Sequence, residues 1–214
     1  VRSRGEIDMS FAASPRGTSL ARSYQSGCLR LRVPRRMEGD RPCAVLINTS
    51  GGLAEGDQLR QRIAWDAGSR GIVSTQAAEK VYRALAQGCT IETGIAVADG
   101  ADAEWLPQET ILFNRARLAR SIDIDLDEGA SLLMAEAVVF GRSAMGEEVE
   151  EGMLSDRWRL RRNGRLVFAE NLRLDGPIAR KLAEPALAAG GAAIATVLAV
   201  PAGEAAAERV RALS

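Results

Sequence analysis

Apolar and polar residues alternate with a period of two over most of the stretch from about residue 5 to residue 175, and this confines the chain to β-structure. Ile122, Ile124 and Leu126 alternate with Asp123 and Asp125, which gives a strand one apolar and one acidic face. Ile91, Ile95 and Val97 alternate with Glu92 and Ala96 in the same way. Between Trp158 and Phe168 two alternating runs flank Asn163-Gly164, a pair that supplies the positive φ angles of a type I′ hairpin turn. Ala44 to Ile47 and Leu132 to Ala135 are short unbroken apolar runs, the pattern of strands covered on both faces.

One turn recurs along this pattern. Trp65-Asp66-Ala67-Gly68, Val97-Ala98-Asp99-Gly100 and Leu126-Asp127-Glu128-Gly129 each end a strand on an apolar residue and place glycine three positions later. The glycines lie at 68, 100 and 129, so the spacings are 32 and 29. Near-equal spacing fits β-units stacked on one another; hairpin turns recurring in an all-β chain fit it equally well. Either way mostly antiparallel β-structure is expected. After residue 175 the pattern changes to a mixed α/β tail. Residues 177–187 have helical potential and 194–200 read as a strand. Ala207, Val210 and Leu213 lie at three-residue spacing, as in an amphipathic helix. A single domain over 1–214 fits the length, and the stop at Ser214 reads as a truncated C-terminus.

Charge and composition exclude several classes. Lys plus Arg equals Asp plus Glu at 28 each, so no net field recommends a nucleic acid or an anionic membrane as partner. Arg157, Arg159, Arg161 and Arg162 read as a solvated strand face. The Ala/Gly-rich run 186–202, broken by Gly190-Gly191, falls short of a membrane span. Residues 1–6 lead into no apolar signal core. Cys28, Cys43 and Cys89 are scattered and suit small core residues in a reducing compartment, so a soluble, cytoplasmic protein is expected. Histidine is absent, which removes the commonest general base and the commonest nickel or zinc ligand together.

Chemistry is therefore left to carboxylates. Glu79, Glu104, Glu109 and Glu136 are each embedded in an otherwise apolar segment, where a carboxylate is costly unless paired, hydrogen-bonded or metal-bound. They fit an internal salt-bridge network with Lys80, Arg83 and Arg142. They also fit the lining of a wet interior path, whose oxygen-only ligands would hold a cation loosely. Asn48 to Asp57 is dense in glycine; it is a structural turn that Asp57 caps, or a polar passage, and it lacks the Gly-Lys-Ser/Thr of a phosphate loop. Tyr82, Trp105, Phe113 and Phe140 read as core anchors. A competing reading makes Glu104 and Glu109 the paired carboxylates of a carbohydrate-active β-solenoid enzyme. Residues five apart on a strand face opposite ways, so that pair needs Pro107 to bend the chain.

Four segments in register carry a resemblance. They are Asn48-Thr49-Ser50-Gly51-Gly52 with Gly56-Asp57, then Ser74-Thr75-Gln76-Ala77-Ala78-Glu79-Lys80-Val81-Tyr82-Arg83. The third is Glu104-Trp105-Leu106-Pro107-Gln108-Glu109-Thr110-Ile111-Leu112-Phe113, and the last is Glu136-Ala137 with Gly141-Arg142 and Gly146-Glu147. Together, over roughly residues 20 to 175, they resemble the UreD (UreH) family of urease accessory proteins. Ser74 stands where Thr is usual, and Asn114 where Asp is common. The resemblance implies an all-β-dominated, β-helical scaffold of stacked antiparallel sheets with a few C-terminal helices, no catalysis and no permanently bound cofactor. It also implies a chaperone complex with UreF and the GTPase UreG, docked on apo-urease, with Ni²⁺ as transient cargo. On that picture Glu79, Glu104, Glu109 and Glu136, with Asp57, line the nickel path, and replacing Glu104 or Glu109 by Ala lowers urease activation.

Overall fold

Strands form wherever the alternation runs, and each turns its apolar parity inward. The computed structural model describes residues 2–35, 41–142 and 145–201. An antiparallel pair, β1 (Arg4–Ser14) and β2 (Gly17–Gly27), opens the fold, followed by β3 (Leu29–Arg32) and β4 (Cys43–Asn48). Three coils then wind in the same sense. The first holds β5 (Gln58–Trp65), β6 (Arg70–Thr75) and β7 (Glu79–Val81); the second holds β8 (Cys89–Val97), β9 (Asp102–Leu106) and β10 (Thr110–Leu112). The third holds β11 (Arg117–Leu126) and the long β12 (Ser131–Phe140). A hairpin of β13 (Glu151–Arg162) and β14 (Arg165–Pro177), the helix α1 (Ile178–Ala183) and β15 (Ala193–Val200) complete the described chain.

Each coil gives one strand to the first sheet (β5, β8, β11) and one or two to the second (β6 and β7, β9 and β10, β12), so the chain is a β-solenoid. The first sheet runs β14-β13-β11-β8-β5-β1-β2, and the second runs β3-β4-β6-β9-β12-β10-β7 with β15 added on β12. The recurring glycine turns are the corners between sheets, and they stack. Gly68 N–H donates to the Asp99 carbonyl at 3.1 Å, and Gly129 N–H donates to Asp99 Oδ1 at 2.9 Å. This geometry selects stacked units over recurring hairpins. It also corrects the expected pairing, because β1-β5-β8-β11-β13 and β4-β6-β9-β12 pair in parallel, and antiparallel pairs occur only toward the ends of the stack. A chain that returns to the same sheet after a full coil can only lay its strands in one direction.

The core fills the space between the two sheets. Phe11, Trp65, Ile122, Leu118, Met134 and Trp158 are buried there, each Ile or Leu worth roughly 1.5–3 kcal/mol on burial. The apolar runs at 44–47 and 132–135 lie in strands buried on one face rather than two, with Leu133 still 41% exposed. Asn163 (φ 48°) and Gly164 (φ 73°) form the expected hairpin turn. The strand read at 194–200 is β15. The helix read at 177–187 is shorter, because Pro185 forces Glu184 into an extended conformation (ψ 128°) and ends α1 at Ala183. Of the few C-terminal helices expected, α1 is the one α-helix among the described residues, and the helix expected from Ala207, Val210 and Leu213 lies outside them. No helix among the described residues is long and apolar enough to cross a membrane.

Candidate functional site

Between β6 and β7, and again between β9 and β10, the chain leaves the second sheet for three residues: Gln76-Ala77-Ala78 and Pro107-Gln108-Glu109. β12 runs straight past the second gap, pairing with β9 through Ser131–Met134 and with β10 through Val138–Phe140. The break opens a cavity of about 300 Å³ between the sheets. Its wall mixes apolar residues with polar ones, among them Asn48, Gln61, Glu79, Lys80, Arg120 and Glu136. A cavity of that size with polar groups on its wall has room for several water molecules. Gln61 is buried on the inward parity of β5, and its Oε1 accepts no hydrogen bond from the described residues. A buried amide oxygen of this kind takes its partner from water or a ligand.

Glu79 opens β7 on this wall. Asn48 Nδ2 donates to both of its carboxylate oxygens, at 3.0 and 3.2 Å, and no cationic side chain pairs with it among the described residues. Burial pushes its carboxyl up to about 7; the Asn48 bond pulls it down and the negative charge of Asp57 pushes it up. Asn48 is itself held by its turn, its Oδ1 accepting from the Ser50 N–H at 3.0 Å and the Ser50 hydroxyl at 2.5 Å.

Glu136 occupies a different environment. Its Oε2 accepts from Arg120 Nη1 at 2.6 Å, and its Oε1 from the Trp105 indole N–H at 2.7 Å. Arg120 also grips Asp156, Nε to Oδ1 at 3.0 Å and Nη2 to Oδ2 at 2.5 Å, and the Trp158 indole donates to Asp156 Oδ1 at 3.1 Å. Arg120, Glu136 and Asp156 are all buried. Burial pushes the Glu136 carboxyl up, opposed first by the Arg120 charge and then by the Trp105 bond. One guanidinium thus joins strands of both sheets across the core.

The candidate carboxylates separate accordingly. Glu79 and Glu136 stand on the cavity wall; Glu104, Glu109 and Asp57 do not. Glu104 is bound by Arg41 Nη1 at 2.5 Å, whose Nη2 meets Asp102 at 2.7 Å. Glu109 is half-buried and contributes its backbone carbonyl, which accepts the Glu79 N–H at 2.9 Å. Asp57 caps the glycine-rich turn, accepting from Ser3 N–H at 2.6 Å and Ala54 N–H at 2.9 Å. The two partnered glutamates use Arg41 and Arg120 in place of Lys80, Arg83 or Arg142; Arg142 pairs instead with Glu147 and lies 4.2 Å from the Phe113 ring centroid. Burial raises all three thiols, Cys89 to about 12, so none offers a thiolate near neutral pH. Arg157 and Arg161 lie on the outer face beside Asp123, the solvated face expected of that cluster.

Three buried polar residues at or beside the cavity escape a reading by apolar neighbourhood: Gln61, Arg120 and Asp156. Strand parity finds them. Leu118, Arg120 and Ile122 share one parity of β11; Leu154, Asp156 and Trp158 share one of β13; Leu59, Gln61 and Ile63 share one of β5. A polar residue that shares the parity of buried apolar neighbours must point into the core with them.

Comparison with known proteins gives a consistent result. The sequence model of the family described as UreD urease accessory protein matches residues 3–214. Urease accessory protein UreD 3 of Bradyrhizobium sp. (strain BTAi1) is 51% identical over 210 residues, covering 98% of this chain and 75% of that protein. Urease accessory protein UreD of Rhodopseudomonas palustris (strain BisA53) is 50% identical over 210 residues, covering 98% and 73%. The corresponding protein of Rhizobium rhizogenes (strain K84) is 46% identical over 197 residues, covering 92% and 72%.

Proposed function

The chain belongs to the UreD family of urease accessory proteins and so serves urease maturation, and from that premise we propose that it is a non-catalytic scaffold through which nickel reaches apo-urease. In this reading it acts with UreF and the GTPase UreG, in the cytoplasm, and binds no permanent cofactor. Ni²⁺ is its cargo. The observation that carries the reading is the cavity between the sheets, with Glu79 and the Gln61 oxygen, unpartnered among the described residues, on its wall.

The donor set fits a passing cation. Among the described residues no group of three or more Cys, Asp or Glu side chains converges as a metal centre. A single carboxylate, neutral amide oxygens and water bind a borderline divalent ion weakly, which suits transfer better than storage. Glu104, Glu109 and Asp57 lie off the cavity, so the activation loss expected of the path residues belongs first to Glu79.

The test is co-expression with the urease subunits and the partner accessory proteins, followed by nickel content per purified urease active site. Glu79→Gln keeps the shape and the Asn48 contact while removing the charge, and should lower nickel loading severalfold with partner binding intact. Glu104→Ala should leave loading near that of the unaltered protein. Full loading with Glu79→Gln would refute the cavity path.

A further inference from the structure

The buried group around Arg120 is larger than a salt bridge needs to be. Two carboxylates from two sheets, Glu136 and Asp156, converge on one guanidinium, and two indole N–H groups, from Trp105 and Trp158, donate to those carboxylates. Every carboxylate oxygen in the group has at least one donor, and Asp156 Oδ1 has two. Arg120 therefore fills the space between the acidic oxygens of Glu136 and Asp156, with Arg120 and Glu136 on the cavity wall. Such a pair of acids would bind a dipositive ion far more firmly than Glu79 with its single neutral amide neighbour does.

We infer that Arg120 is a built-in counter-cation that denies Glu136 and Asp156 to the travelling metal ion, so that the cavity passes a cation past Glu79 and does not trap it. This rests on the cavity being the cation's route, and it assigns unequal roles to its two carboxylates: Glu79 offers charge, whereas Glu136 is fully engaged. Arg120 is a positioning residue here. It acts on the ion only through the carboxylates it holds. The choice of arginine follows from the geometry, because a planar fork reaches both acids at once while staying charged at any physiological pH.

The prediction runs against ordinary expectation, since removing a residue should strengthen binding. Titration calorimetry of the purified chain with nickel sulfate at pH 7.5 should show Arg120→Gln binding Ni²⁺ on the order of tenfold or more tighter than the unaltered protein. Arg120→Gln/Glu136→Gln should lose that gain. Co-expressed with urease, Arg120→Gln should retain nickel on the accessory protein and deliver less. A folded Arg120→Gln with unchanged affinity overturns the inference. Should that variant fail to fold, Arg120→Lys decides: it keeps the charge but cannot span both acids, so its affinity should exceed that of the unaltered protein, and equality overturns the inference. The transit reading has separate outcomes. Ni²⁺ binding lost in Glu79→Gln with no gain in Arg120→Gln keeps the route and rejects the counter-cation; a gain in Arg120→Gln with full urease loading by Glu79→Gln does the reverse.

Discussion

At the scale of single residues, Glu79 couples the cavity to stability. Its ordinary value is 4.5, and burial carries it to about 7 in the folded chain. Between those two pH values the folded protein holds a proton that the unfolded chain has released. Stability from this group is therefore full below pH 4.5 and declines as pH rises to about 7, by at most about 1.4 kcal/mol per pH unit. Asn48 and the charge of Asp57 are the neighbours that tune the effect. Urea unfolding at pH 5 and pH 7.5 should show Glu79→Gln removing this slope, because an amide has no proton to lose. A slope unchanged in the variant would assign it to another group. Glu79 is visible in the sequence as a carboxylate among apolar residues, and so is Glu136. The sequence does not say that Glu136 has an arginine partner and Glu79 has none among the described residues, because Arg120 and Asn48 reach them only through coil closure.

Among elements, the glycine turns explain what alternation can and cannot specify. Period-two alternation states which side chains face inward, and that much is legible at Ile122, Ile124 and Leu126, all buried. It carries no information about strand direction, since parallel and antiparallel strands share the same pleat. Direction comes from the corners. Asp99 links three successive turns: its carbonyl accepts Gly68 N–H, its side chain accepts Gly129 N–H, and its own N–H donates to Asp127 Oδ2 at 3.2 Å. Asp99→Ala removes the side-chain bond alone, leaving Gly129 N–H open to solvent. A loss of roughly 0.5–1.5 kcal/mol in chemical denaturation follows, with the fold intact. Local breaks are legible too where proline acts: Pro185 ends α1, and Pro107 follows β9 where the cavity opens.

For the whole molecule, a stack of coils distributes stability along one axis. β5, β8 and β11 are each paired on both sides by parallel neighbours, whereas β2 and β14 each have one paired edge in the first sheet. Each coil pairs its strands only with the coils beside it, so opening an end strand breaks one interface and opening a central strand breaks two. The Arg120 group ties β11 to β12 and β13 and adds a cross-sheet link near the third coil. Native-state hydrogen exchange should accordingly rank amide protection highest in β8 and β11 and lowest in β2 and β14. Arg120→Lys should lower protection in β11 and β13 more than in β1 and β5, because the link it weakens lies on that side of the stack. Equal loss throughout would mean that the solenoid opens as one cooperative unit, with the buried arginine stabilising all of it. A graded loss would locate the cavity's wall at a joint between coils, where a passing ion needs only local opening to move.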